Sequence, residues 1–290
     1  MRRRRVGARP PLSTMRQDDM IGTASHPSPR LRVPADLARS WMLRSPLGVL
    51  DITACDALVI DLEDGLPAAR KDAGRDAAAT FLDRSPAWVR INAHGTEHWE
   101  ADLAMAAAAP GLAGVMLAVT ESATQIDATA ALLPVGTRIV ALIESAVGLE
   151  RCSSIAAHPS TFRLAFGTGD FRRDTGMADD QLVLSWPRAR LVVASAAAGI
   201  PAPIDGPTAG DPAAVLAAAR HASDMGMTGK LLLRDEHAAV IDEGLSPSPQ
   251  AIREALDLLA QTPDESADGS YAPAIARAQR VVDRAAAFGL

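Results

Sequence analysis

Residues 57–65 read ALVIDLEDG, a short apolar run that breaks into three carboxylates, Asp61, Glu63 and Asp64. A run of this length, rich in branched side chains and ended by acids and a glycine, predicts a buried strand emerging into solvent. Strand ends of that kind are where α/β enzymes keep their chemistry. Three more runs end on polar groups: AWVRIN (87–92) on Arg90 and Asn92, IVALIES (139–145) at Glu144, and RLAFGTGD (163–170) at Asp170. Strands lying parallel in one barrel would bring these groups to a single mouth. Several carboxylates there are costly to ionise together unless a cation sits among them. Glu144 and Asp170 supply oxygen ligands only, a set that suits Mg²⁺ better than Zn²⁺, with water and substrate completing the shell.

Eight apolar runs can be counted from there outward: residues 30–35, 57–65, 87–93, 114–120, 138–145, 162–170, 201–206 and 229–234. Helical patterns fall between them at 67–83, 98–109, 122–133, 145–158, 186–199 and 211–226. Repeated βα units of this number predict the α/β class and a TIM-type (β/α)8 barrel, for which 290 residues at 48% hydrophobic content suffice. An open doubly wound sheet is the alternative, although neither GxGxxG nor GxxxxGK[ST] is present. Residues 1–29 lack apolar periodicity and are expected to form a disordered tail, with Met15 or Met20 as alternative starts. Residues 30–290 are expected to form the barrel domain. Two further helices, 248–260 and 272–290, exceed what closing a barrel requires and suggest packing in a homo-oligomer.

The formal net charge of −6 offers no basic field for a nucleic-acid partner. No apolar run approaches the roughly 18 residues of a membrane span. The arginines at positions 2–5 lack a following apolar segment, so a cytoplasmic protein is expected. Cys55 and Cys152 show no CxxC and are expected to be buried small residues, not a disulfide or zinc site. His94, His98, His158, His221 and His237 show no HxH or HExxH spacing and read as surface or loop residues, with His94 near the rim. No GxSxG elbow supports a nucleophilic serine.

Individual residues leave alternatives open. Arg90, between Val89 and Ile91 on a buried strand, needs an anion: one of the DLED acids in a structural pair, or a substrate carboxylate. Glu144 could serve the next helix N-terminus or a ligand. Asp170 follows two glycines that allow close approach, which favours function. Lys230, opening the last run, is expected to face the barrel's bottom in a structural role.

DLEDG, VRIN, VALIES followed by AVGL, LAFGTGDF, APIDG and the late GK at 229–230 occur in an order that resembles the citrate lyase beta-subunit-like proteins of the HpcH/HpaI aldolase group. The resemblance runs from about position 31 to the C-terminus. It implies a TIM barrel, usually trimeric or hexameric, that uses Mg²⁺ to cleave or form a carbon–carbon bond in an acyl-CoA or related hydroxy acid. By that pattern Arg90 and Glu144 meet substrate, Glu144 and Asp170 hold the metal, and Asp61, Glu63 and Asp64 support them. Two departures stand out. Ala118 and Val119 replace the usual Pro-Lys, and Arg234 and Asp235 replace the usual His-Pro, with Arg234 expected to pair internally with Asp235 or Glu236. The expectation is a lyase for a citryl- or malyl-CoA-like hydroxyacyl thioester, working through an enolate. The alternatives are an aldolase on CoA-free keto or hydroxy acids and a non-catalytic acyl-CoA-binding barrel.

Overall fold

The computed structural model describes residues 33–51, 55–261 and 270–290. The expected tail, residues 1–29, lies outside the described residues, as do 30–32, 52–54 and 262–269. Eight strands close in chain order into a parallel barrel: β1 (Ser40–Arg44), β2 (Ala57–Asp61), β3 (Ala87–Ile91), β4 (Leu112–Leu117), β5 (Ile139–Ile143), β6 (Thr161–Phe166), β7 (Ile204–Asp205) and β8 (Gly229–Leu232). β8 returns to β1 through the register Ser40↔Lys230 to Met42↔Leu232, which removes every open edge.

Seven strands arise from the runs read in the sequence, and the first does not. Residues 33–35 are irregular, because Pro34 cannot donate to a ladder and its carbonyl instead closes a turn with the Leu37 amide at 2.9 Å. The barrel begins five residues later, at Ser40. Helices Lys71–Leu82, Trp99–Ala108, Ala123–Ala131, Ser185–Ala198 and Pro212–Asp224 follow their strands as expected. The Ala123–Ala131 helix starts on a reciprocal Ser122/Gln125 cap, and Pro212–Asp224 starts on an Asp211 cap with proline in its first turn. The helix expected over 145–158 breaks at Arg151 into Ala146–Glu150 and Cys152–Ala156. Two helices went unforeseen, Thr168–Thr175 and Ala238–Leu245. No helix among the described residues is long and apolar enough to cross a membrane.

Strand alternation divides the core in two. Trp41, Val59, Trp88, Met116, Leu142 and Leu231 fill the barrel's interior, while Leu58, Ile60, Val89, Leu117, Ile143 and Phe166 pack outward under the helices. Arg163 closes the interior at the N-terminal face. It is fully buried and donates to the carbonyls of Ala202 at 2.5 Å and Ala38 at 3.0 Å and to Thr228 Oγ1 at 2.8 Å. Burial pushes its pKa down to about 9. Its guanidinium lies 5.6 Å from Trp41, which stands 5.0 Å from Trp88, which in turn stacks on Phe162 at 5.6 Å.

Lys230 does not face the barrel's bottom as the sequence suggested. Its neighbour Leu231 belongs to the interior cluster, so alternation turns Lys230 outward. There its ammonium meets Asp205 Oδ2 and the Gly206 carbonyl, both at 2.7 Å, while Arg188 Nε donates to Asp205 Oδ1 at 2.9 Å. All three side chains are buried, so the ion triad ties β7, β8 and helix Ser185–Ala198 together. Cys55 and Cys152 are free and buried, as expected, and burial pushes the Cys55 thiol up to about 12.

Candidate active site at the barrel mouth

Asp61 is the last residue of β2 and pairs in register with Arg90 of β3, so both side chains leave the sheet together on the inward face. Arg90 grips Asp61 in a two-point clamp, Nε to Oδ1 and Nη2 to Oδ2, each 2.7 Å. Its remaining nitrogen, Nη1, lies 2.9 Å from Glu63 Oε2 and 3.9 Å from Asp64 Oδ2. Burial opposes the guanidinium charge, but Asp61, Glu63 and Glu144 outweigh it and raise the Arg90 pKa. The structural pairing foreseen for Arg90 is therefore present, with two of the DLED acids sharing it. Asp64 is mostly exposed, at 66% of its side-chain surface.

The turn that carries these acids is held by Asn92, which the sequence singled out, together with Lys71, Asp102 and Arg75, which it did not. Lys71, at the start of the next helix, is buried and donates to the carbonyls of Leu62 and Glu63, both at 2.6 Å, and to Asn92 Oδ1 at 2.9 Å. Asn92 donates back to the Leu62 carbonyl at 3.0 Å and to Asp102 Oδ2 at 2.5 Å, and Arg75 Nη1 binds Asp102 at 2.9 Å. A Cβ on Gly65 would lie 2.7 Å from Asp61 Oδ2, so only glycine lets the turn fold over the clamp. The signal for Lys71 was its place ten residues after Asp61, on the first turn of a helix that must start beside the strand end.

Glu144 follows β5 and is also buried. The Val119 amide donates to its Oε1 at 2.7 Å. Val119 does so from φ = 47°, in the left-handed region that a β-branched residue rarely takes. On the other side a Cβ at Gly167 would come within 2.4 Å of Oε2, so glycine at the end of β6 makes the room this carboxyl occupies. Burial, with Glu63 and Asp170 nearby, pushes Glu144 up to about 8, against the Val119 amide and Arg90. The helix that follows is capped by Ser145, whose hydroxyl accepts from the Gly148 amide at 3.1 Å, so Glu144 itself is not that cap.

Asp170 sits in the first turn of helix Thr168–Thr175, where Arg173 binds its Oδ1. Among the described residues no group of three or more His, Cys, Asp or Glu side chains is arranged as a ready metal cage. Two oxygen donors from neighbouring strand ends nevertheless suit a cation that keeps several waters, as Mg²⁺ does. Glu144 is raised chiefly by burial and also by the Glu63 and Asp170 charges, a setting that a bound cation would relieve, so the oxygen donors fit such an ion. At the departures, Arg234 pairs with Glu236 at 2.5 Å while Asp235 is taken by Arg44 at 2.5 Å. Among the histidines, His94 is exposed with its ring 4.5 Å from Trp99. His237, expected at the surface, is buried.

Residues 45–235 match the family profile described as HpcH/HpaI aldolase/citrate lyase, and residues 250–289 match that of the HpcH/HpaI aldolase C-terminal domain. The chain belongs to the HpcH/HpaI aldolase/citrate lyase family. A (3S)-malyl-CoA thioesterase of Cereibacter sphaeroides is 30% identical over 208 residues, 69% of this chain and 72% of the relative. An L-malyl-CoA/beta-methylmalyl-CoA lyase of the same species is 29% identical over 258 residues, 76% of this chain and 81% of the relative. Among solved structures, CitE of Mycobacterium tuberculosis in complex with magnesium, acetoacetate and coenzyme A is 25% identical. It superposes with a TM-score of 0.72 and covers 87% of this chain and 99% of its own. The relatives thus include a lyase and a thioesterase, and the similar CitE structure was obtained in complex with magnesium, acetoacetate and coenzyme A.

Proposed function

We propose that this protein is a Mg²⁺-dependent carbon–carbon lyase acting on a short hydroxyacyl-CoA thioester of the malyl or citryl type, in the cytoplasm. The observation that carries the reading is the Arg90 clamp beside Glu144, a buried guanidinium and a buried carboxyl at one barrel mouth. Glu144 and Asp170 would hold the metal, and Asp170 would exchange Arg173 for it. When bound, Mg²⁺ supplies positive charge that lowers the cost of negative charge building on substrate oxygens.

The chain's own residues account for the rest. Arg90, fixed by Asp61 at two points, cannot rotate away from the carboxylate of the keto-acid half and holds it in one orientation. In the cleavage direction the bond between the hydroxyl-bearing carbon and the thioester's α-carbon breaks. Its electron pair moves into the thioester as an enolate, the hydroxyl proton leaves, and the α-carbon gains a proton. The buried setting keeps water from competing with the fixed charges, where they act most strongly. Val119 N–H and Gly167 keep Glu144 in place throughout.

The likeness to a malyl-CoA thioesterase supports a second reading, hydrolysis of the thioester after or instead of cleavage. Incubating purified protein with malyl-CoA and Mg²⁺ separates the two. A lyase releases glyoxylate and acetyl-CoA with no free thiol, whereas a hydrolase releases thiol. Asp170→Ala should abolish either activity and Mg²⁺ binding by calorimetry. Full activity in that variant, or no turnover of hydroxyacyl thioesters or free hydroxy acids by the wild type, would overturn the proposal.

A further inference from the structure

Arg90 has one edge left for a ligand, and Glu63 occupies it. Nε and Nη2 are committed to Asp61, and Glu63 Oε2 sits 2.9 Å from Nη1, where an incoming carboxylate would bind. The main chain of Glu63 is pinned on both sides. Its amide donates to Asp61 Oδ1 at 3.0 Å, and its carbonyl accepts from Lys71 at 2.6 Å. Only the side chain is left to turn, and besides Arg90 it gives up one bond in doing so, the 3.1 Å bond that its Oε2 accepts from the Asp64 amide. At 17% exposure the Glu63 carboxylate borders solvent, whereas Asp61 and Arg90, at 7% and 8%, are sealed beneath it. Asp64, next along, stands farther off at 3.9 Å and mostly in water, and it can receive no comparable hold. Burial also disfavours the charge that Glu63 carries there, so the pairing with Arg90 is under tension that a better-placed anion relieves.

From this geometry we infer that Glu63 is an internal stand-in for the substrate's carboxylate, filling the edge of Arg90 that Asp61 leaves free in the resting protein and swinging aside when an acid takes its place. The inference rests on the proposed role of Arg90 and adds a discriminating step to it. A ligand must displace a carboxylate to bind, so neutral analogues and weak anions are rejected. A displaced Glu63 also moves its charge away from Glu144, which it opposes electrostatically at rest.

Calorimetry with Mg²⁺ and pyruvate tests this on the full chain, using wild type, Glu63→Gln and Glu63→Ala, with methyl pyruvate as the uncharged control. Folding of each variant is checked by thermal melting. Removing the internal competitor should tighten pyruvate about three- to tenfold in both variants and leave methyl pyruvate unchanged. Unchanged or weaker pyruvate binding in variants that fold, or an equal gain for the ester, overturns the stand-in role while leaving the site itself intact. Pyruvate binding by the variants but not by wild type supports it strongly. No binding by any of the three proteins overturns both this inference and the assignment of Arg90.

Discussion

Val119 holds a backbone angle that its side chain resists, and its amide lies on Glu144. Left-handed geometry costs a β-branched residue roughly 1–2 kcal/mol, and such strain persists only where the surroundings over-determine it. Here the Thr120 amide bonds the Leu142 carbonyl at 2.9 Å and the Thr120 hydroxyl bonds the Leu117 carbonyl at 2.9 Å, which cinches the turn. Val119→Gly keeps the amide and removes the strain at the expense of about 0.5–1 kcal/mol of chain entropy. It should therefore match or slightly exceed the wild type in thermal melting and retain Mg²⁺ affinity. A drop in melting temperature of several degrees would show that the valine side chain, and not only its amide, is needed. Asp61, Arg90, Glu144 and Asp170 were legible in the sequence because each ends an apolar run. Val119 was not, since a backbone donor leaves no trace in residue type, and the position read instead as a lost lysine.

The ion triad of Asp205, Arg188 and Lys230 shows at the level of strands and helices what burial does to charge. Burial alone would raise the Asp205 pKa, but Lys230 and Arg188 overcome it and hold the carboxyl below its usual value of 3.8. A carboxyl depressed on folding contributes stability that is complete above the unfolded pKa and is lost as the pH falls through the folded one. Acid unfolding should thus steepen below about pH 4. Asp205→Asn should remove that steepening and destabilise by about 3–5 kcal/mol at neutral pH, because two buried cations lose their counter-ion. Urea melts at pH 7 and pH 3 check both, and an unaltered pH slope in the variant would count against the assignment. Two elements escaped sequence reading. β1 (SWMLR) is framed by Ser40 and Arg44 and is passed over for the 30–35 run although the turn at Ser45–Gly48 closes it, and Gly167 and Gly169 hid the helix Thr168–Thr175 that places Asp170.

Across the whole molecule, Arg39 links the barrel to its C-terminal helices. It pairs with Asp56 at 2.8 Å, donates to Ser246 Oγ at 2.7 Å and lies 4.0 Å from the centre of the Phe288 ring. Arg284 adds a bond to the Leu245 carbonyl at 2.6 Å. A cavity of about 1000 Å³, bordered by Arg39, Asp242, Ser246, Ile252 and Leu290, opens alongside. Helix Tyr271–Phe288 packs chiefly along helix Pro249–Ala260, and Arg39 is a main polar tie between that pair and the barrel. Arg39→Met should release the pair to limited proteolysis well before the barrel is cut, while the (β/α)8 core stays folded by circular dichroism. Equal protease resistance in variant and wild type would place the tether elsewhere. The eight-strand barrel was legible because its period of strands and helices is regular. The tether was not, since it joins residues almost 250 positions apart in the chain.

The stopper that Arg163 and the Trp41, Trp88 and Phe162 rings make at the N-terminal face leaves traffic one doorway. For a reaction that turns one molecule into two, a single doorway imposes a queue. In the proposed lyase reaction the fragment held by Arg90 would lie innermost, so the thioester fragment would depart ahead of it and the acid would go last. In the synthetic direction the same queue would run backwards, with the acid seated before its partner arrives.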